Sequence, residues 1–153
     1  MAYLVGSKGL SRYVRRYLRI FSWKRLANAS QVLVSMLVSW VMRRPVVWGQ
    51  PFLMMVEPTN FCNLKCPLCP SGNGQMRRPR GNMSIDDFKQ LVDQVADRAF
   101  MMMMWNQGEP YLNACFNEMV RYAHEKDIFT FTSTNGHYIR CLLYTSDAAD
   151  ERS

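Results

Sequence analysis

Acidic residues are missing from the first fifty positions of this chain. Residues 1–50 hold Lys8, Arg12, Arg15, Arg16, Arg19, Lys24, Arg25, Arg43 and Arg44, with no Asp or Glu. The other ten of the 19 Lys/Arg share residues 51–153 with all 12 Asp/Glu, so the formal net charge of +7 resides in the N-terminal segment. A long apolar run is also missing. The best stretch, Val32 to Met42, is interrupted by Ser35 and Ser39 and is about half of the ~20 residues a membrane span needs. The stretch starts late and no small-residue cleavage site precedes Arg43 and Arg44, so it is not expected to be a cleaved signal. Histidine is scarce, with two in the chain, His124 and His137. Neither stands at a zinc-finger spacing from Cys62, Cys66 or Cys69. With 48% hydrophobic and 20% charged residues in 153, the composition excludes general disorder and allows one domain with a core.

What is present begins with a basic amphipathic pattern. Leu10, Tyr13, Val14, Tyr17, Leu18 and Phe21 recur at helical spacing, and Arg12, Arg15, Arg16 and Arg19 fall largely on the other side. Residues 1–50 are expected to be a basic helical extension. Packing on the domain is the first reading. A basic element lying on an anionic membrane surface comes second, and an RNA-contacting arm third.

Residues 51–140 are regular. "PFLMMVE" from Pro51 is a short apolar run of the kind buried on both faces of a parallel sheet. Next, Ser84 is placed to cap a helix, with Asp87 three residues on and Met83 able to staple onto Phe88. Ile85, Phe88, Leu91, Val92 and Val95 form the apolar stripe of that helix. "FMMMMW", Phe100–Trp105, is a second strand; Met101–Met104 alternate faces there and pack into the core instead of lining a soft-metal site. Asn113 is positioned to cap a helix whose stripe is Phe116, Met119, Val120 and Ala123. "IFTFTS", Ile128–Ser133, is a third strand, ended by the turn pair Asn135-Gly136. The order strand, helix, strand, helix, strand predicts an α/β layer with parallel strands. Three unusual segments then share the carboxyl mouth of that layer: a cysteine loop, "NQGEP" from Asn106, and "STNG" from Ser133.

The cysteine loop is "EPTNFCNLKCPLCPSG", in which Cys62, Cys66 and Cys69 sit within eight residues. Disulfides explain three adjacent thiols poorly, and a closed zinc site wants a fourth ligand that is not nearby. An iron–sulfide cluster suits thiolate donors, and three of them on four irons leave one iron open for a ligand. Zinc with a distant fourth ligand, and a purely structural or disulfide role, stay as alternatives.

"CNLKCPLC" has the C-x3-C-x2-C spacing of the radical S-adenosylmethionine (SAM) enzymes, and its context resembles the branch often followed by a SPASM domain. The resemblance covers about Pro51–Arg140. It implies the N-terminal part of a partial (β/α)6 TIM-like barrel, preceded by helices. It also implies a 4Fe–4S cluster on Cys62, Cys66 and Cys69, with SAM chelating the unique iron. Reductive cleavage of SAM would then yield a 5′-deoxyadenosyl radical that takes hydrogen from a substrate. Gln107-Gly108-Glu109-Pro110 is similar to the family's "GGEP", which binds the SAM amino group, with Glu109 supplying a carboxylate and Gln107 standing where the family has glycine. Ser133 and Asn135 resemble strand-end polar residues near SAM. Leu68 replaces an aromatic that lies near the adenine.

The resemblance leaves the substrate open among peptide, protein and small molecule, and the electron donor unidentified. It implies a cytoplasmic protein, with peripheral membrane contact through the basic N-terminus left open. Nucleic acid ranks lower as a partner, so an RNA-modifying radical SAM enzyme is the second reading and a non-catalytic zinc or Fe–S binding module the third. Cys115 reads as a helix residue without a role, the two histidines as surface residues, and "RRPR" from Arg77 as a solvated loop. The tail "CLLYTSDAADERS", 141–153, resembles the translation of a sequencing-library transposase adapter and is expected not to be structural. Three of six barrel units are then present, and the chain by itself is expected to be inactive.

Overall fold

The computed structural model describes residue 14 and residues 18–138. The stripe positions Leu10, Tyr13 and Tyr17 and the tail 141–153 lie outside the described residues. In chain order the elements are α1 (Trp23–Met42), β1 (Leu53–Met55), the short α2 (Pro70–Asn73), α3 (Ile85–Val95), β2 (Met101–Met103), a 3-10 turn (Pro110–Leu112), α4 (Phe116–Glu125) and β3 (Phe129–Phe131). The strands form one parallel sheet in the order β1-β2-β3, with Met54, Met102 and Thr130 in register. Each strand is shorter than its apolar run, and backbone hydrogen bonds such as Val56 N–H to Met103 O and Met104 N–H to Phe131 O continue the pairing one residue further.

The helix stripes build the core. Phe88, Val92 and Val95 of α3 and Phe116, Met119 and Ala123 of α4 are buried with Val56, Met102, Met104 and Ile128, while Ile85, Leu91, Val120 and Met83 pack at the edge. Ser84 caps α3 in both directions: its Oγ accepts from the Asp87 N–H at 3.1 Å and donates to Asp87 Oδ2 at 2.7 Å. Lys89–Glu118 and Lys126–Asp93 tie α3 to α4 at the surface.

Burial on both sheet faces does not hold. Met102 and Met104 are fully buried on the helix side, but Leu53, Met55, Phe129 and Phe131 on the other face are 41–51% exposed. Strand side chains alternate, and α3 and α4 cover one face only. At the amino ends of the strands this open face is partly filled by Phe21, whose ring lies 5.5 Å from that of Phe100.

Helix α1 is joined to the domain by polar groups. Arg25 is 4% exposed. Its guanidinium donates to the carbonyls of Ala96 (3.1 and 2.7 Å), Lys126 (2.8 Å), Asp127 (2.6 Å) and Ile20 (3.1 Å). Ala96 and Lys126 end α3 and α4, so one cation serves two helix carboxyl termini, where the backbone dipoles are negative. Burial lowers the Arg25 pKa, and Asp127 and Asp97 oppose that shift. Farther along α1, the Asn28 side chain exchanges two 2.9 Å hydrogen bonds with the backbone of Gln50, and Ser39 Oγ donates to Val46 O (3.0 Å) and accepts from the Val46 N–H (2.9 Å). No described helix is long and apolar enough to cross a membrane.

Candidate active site at the strand mouth

The stem of the cysteine loop is built first. Thr59 pairs with Asn82 across an antiparallel bridge. The Asn60 side chain donates to Pro79 O (2.8 Å) and accepts from the Gly81 N–H (2.8 Å). The chain returning from the loop, residues 79–82, thereby braces its start. Beyond the stem, the loop closes on its own backbone. The Cys69 N–H donates to Cys66 O, and the N–H groups of Gly72 and Asn73 donate to Cys69 O. Gly72 is needed at this spot, because a Cβ there would lie 2.5 Å from the Cys66 nitrogen.

Cys62, Cys66 and Cys69 are free thiols; Cys66 is exposed and the other two half-buried. Among the described residues no three His, Cys, Asp or Glu side chains are gathered closely enough to hold a metal ion. The donor set fits a thiolate-ligated cluster in chemistry and spacing, while the three sulfurs are not drawn together in this conformation. Leu68, at the loop tip, is 96% exposed.

The loop after β2 is pinned onto the stem. The Glu109 N–H donates to Phe61 O at 2.8 Å. Gly108 has φ +126°, and a Cβ on it would lie 2.4 Å from Thr59 O and 2.9 Å from Asn60 Cα and Phe61 O. The close approach that requires glycine is therefore to the cysteine stem. Gln107 has no positive φ, so its side chain is tolerated where the family has glycine. Its N–H donates to Glu57 Oε1 at 2.9 Å. Glu57 also pairs with Arg78, whose pKa it raises by hydrogen bonding, and this pair ties the exposed "RRPR" loop to the end of β1.

Glu109 is 1% exposed. Its Oε1 accepts from Thr134 Oγ1 (2.7 Å) and the Tyr111 N–H (3.3 Å), and its Oε2 accepts from the Asn135 N–H (2.8 Å). A carboxylate has about four lone-pair sites, so among the described residues one remains, on Oε2. Pro110 is buried at the start of the 3-10 turn. Asn135 also donates to Asn63 Oδ1 at 2.7 Å, which links the loop after β3 to the cysteine loop. Ser133 is exposed, and no hydrogen bond joins it to the site among the described residues. Thr134 takes the role expected of its neighbour. No local pattern marks it, since its partner is 25 residues away.

Asn113 departs from expectation. Helix α4 starts at Phe116, with Cys115 at the capping position making no side-chain cap bond. The Asn113 side chain instead donates to Pro58 O (2.7 Å) and Met83 O (3.0 Å), and accepts from the Cys115 N–H. It stitches the β1 exit to the α3 entry. Trp105, last before the pinned loop, holds the one buried side-chain nitrogen without a partner among the described residues.

A family model described as the radical SAM superfamily matches residues 56–151. The chain belongs to the radical SAM superfamily. Among curated relatives, it is 29% identical over 83 residues to the PqqA peptide cyclase of Rhodopseudomonas palustris, covering 54% of this chain and 22% of that protein. Identity is 31% to the mycofactocin maturase MftC of Mycobacterium tuberculosis, covering 66% of this chain and 25% of that protein. It is 30% to the AdoMet-dependent heme synthase of Methanosarcina barkeri, covering 56% and 24%. The chain thus spans about a quarter of the length of the curated relatives it matches. Among solved structures, BtrN in complex with AdoMet and 2-DOIA superposes with a TM-score of 0.53 at 26% identity, over 58% of this chain and 37% of that one. The parallel sheet and its covering helices are thus part of the radical SAM α/β fold.

Proposed function

We propose that Cys62, Cys66 and Cys69 hold a 4Fe–4S cluster whose open iron takes SAM, and that the whole protein is a radical SAM enzyme acting on a peptide. The observation that carries the reading is the joining of three separate loops at one mouth. Gly108 and Glu109 fasten the second loop to the cysteine stem, and Thr134 and Asn135 fasten the third to Glu109. When bound, the cluster and SAM supply reductive cleavage to a 5′-deoxyadenosyl radical, with the electron coming from a separate donor.

The chain's own residues do the positioning. The three thiols are soft, anion-forming donors on a loop whose stem is fixed and whose tip is exposed, so the tip closes as the ligands bind. Glu109 keeps one lone pair of a buried carboxylate, a good acceptor for the SAM ammonium group, because it is already oriented by three donors. Asn135 holds the cysteine loop from the other side through Asn63. Gln107, Pro110, Leu68 and Ser133 complete the proposed SAM surround. The peptide class rests on relatives named for the PqqA peptide, and the SPASM-associated branch read from the cysteine context agrees with relatives of these kinds.

The test is anaerobic reconstitution with iron and sulfide. About four irons per chain are expected, with a reduced-cluster electron paramagnetic resonance signal that changes on adding SAM. Cys62→Ala, Cys66→Ala and Cys69→Ala should each lose that signal while keeping the circular dichroism of the fold. Zinc without iron in the purified protein, or an undiminished SAM-responsive signal in Cys66→Ala, would show the assignment to be wrong.

A further inference from the structure

Helix α1 is built inside out. Its inward positions are Arg25, Asn28, Val32, Ser35 and Ser39, and Arg25, Asn28 and Ser35 are buried. Its outward positions are Leu26, Leu33, Val34, Leu37, Trp40 and Val41, between 41% and 80% exposed. An amphipathic helix on a soluble domain shows the reverse arrangement. The polar residues face inward because the returning segment 46–50 presents backbone groups there, which Asn28 and Ser39 bind. The apolar stripe therefore has no counterpart in the described domain. It is continued past the helix end by Val47 (81% exposed) and Trp48 (56%), and Trp23 (82%) marks its other end.

Charge identifies the occupant. Arg43 and Arg44 are exposed beside Trp40, and no carboxylate pairs with either among the described residues. The first fifty residues contain no acid at all. A second copy docked on this stripe, in either direction, would bring positive ends together. An anionic bilayer accepts every part of the pattern. Aliphatic side chains enter the acyl boundary, tryptophans sit at the headgroup level, and arginines reach anionic headgroups. We infer that the outward face of α1 is a docking surface for an anionic lipid bilayer, laid parallel to the membrane plane.

The experiment is flotation of the purified 153-residue chain with phosphatidylcholine vesicles, with and without phosphatidylglycerol. Aggregates do not float, so flotation separates binding from self-association. The chain should float with anionic vesicles only, less so at high salt, with a blue shift of tryptophan fluorescence. Arg43→Gln with Arg44→Gln should weaken binding roughly thirtyfold, at about fivefold per basic residue near an anionic surface. Leu37→Glu with Trp40→Glu should abolish it, on the order of a hundredfold or more, with unchanged helicity because both side chains are exposed. Equal flotation without phosphatidylglycerol, no flotation, or concentration-dependent dimers that the Leu37/Trp40 pair dissolves would each overturn the inference.

Discussion

Replacing Gly108 by alanine tests how the site is assembled. The added Cβ would lie 2.4 Å from Thr59 O and 2.9 Å from Asn60 Cα and Phe61 O, all backbone atoms that no rotamer change can move aside. The residue also has φ +126°, a conformation that side chains with a Cβ rarely adopt. Backbone strain of this kind costs about 1–3 kcal/mol, and forcing a methyl group into packed atoms costs about 1–3 kcal/mol more, so the expected loss is about 2–6 kcal/mol. The loss should appear as a lower urea midpoint by circular dichroism, with a weaker SAM response of the reconstituted cluster. Gln107→Gly is the matched control. That position has no positive φ, so restoring the family glycine should cost only about 0.5–1 kcal/mol through added flexibility of the unfolded chain. A Gly108→Ala protein within about 1 kcal/mol of the parent, below the smallest strain cost above, would refute the argument that stem contact fixes this glycine.

Further substitutions probe the mouth and the opposite end of the layer. Glu109→Gln should keep the shape but lose the charge and at least one accepted bond, weakening SAM binding about ten- to a hundredfold by titration of the cluster signal; an unchanged Kd would remove Glu109 from the SAM site. Arg25→Ala leaves the carbonyls of Ala96, Lys126 and Asp127 without their donor and should destabilise the fold by about 3–5 kcal/mol in urea. Arg25→Lys should recover only part of this, since one ammonium cannot reach all of them, and full recovery would contradict the geometry.

The layer order and both helix stripes were legible in the sequence because they depend on local periodicity and on a cap within one turn, as Ser84 and Asp87 show. The cysteine spacing was equally legible, being confined to eight residues. What failed to show was set by distant partners. Asn113 looks like a helix cap until Pro58 and Met83 are seen to claim its amide. Thr134 is indistinguishable from Ser133 in the string, and only the direction of the strand exit gives it Glu109. Arg25 is one of nine cations before residue 51, and nothing nearby in the chain marks it as buried. The apolar strands suggested burial on both sides, yet alternation does not say whether a second covering layer exists, and Leu53 and Phe131 are open.

The hold of Arg25 on two helix ends reaches beyond its energy. Similarity to the family begins at residue 56, but the hydrogen bonds that finish α3 and α4 come from a side chain well before it. The unit that folds cooperatively therefore starts earlier than the unit that evolution records as the domain. In hydrogen exchange, the last amides of α3 and α4 should open together with the first turn of α1, as one foldon, and independently of the cysteine loop. A fragment beginning at residue 56 would lose β1 as well as the clamp that holds the ends of α3 and α4 together.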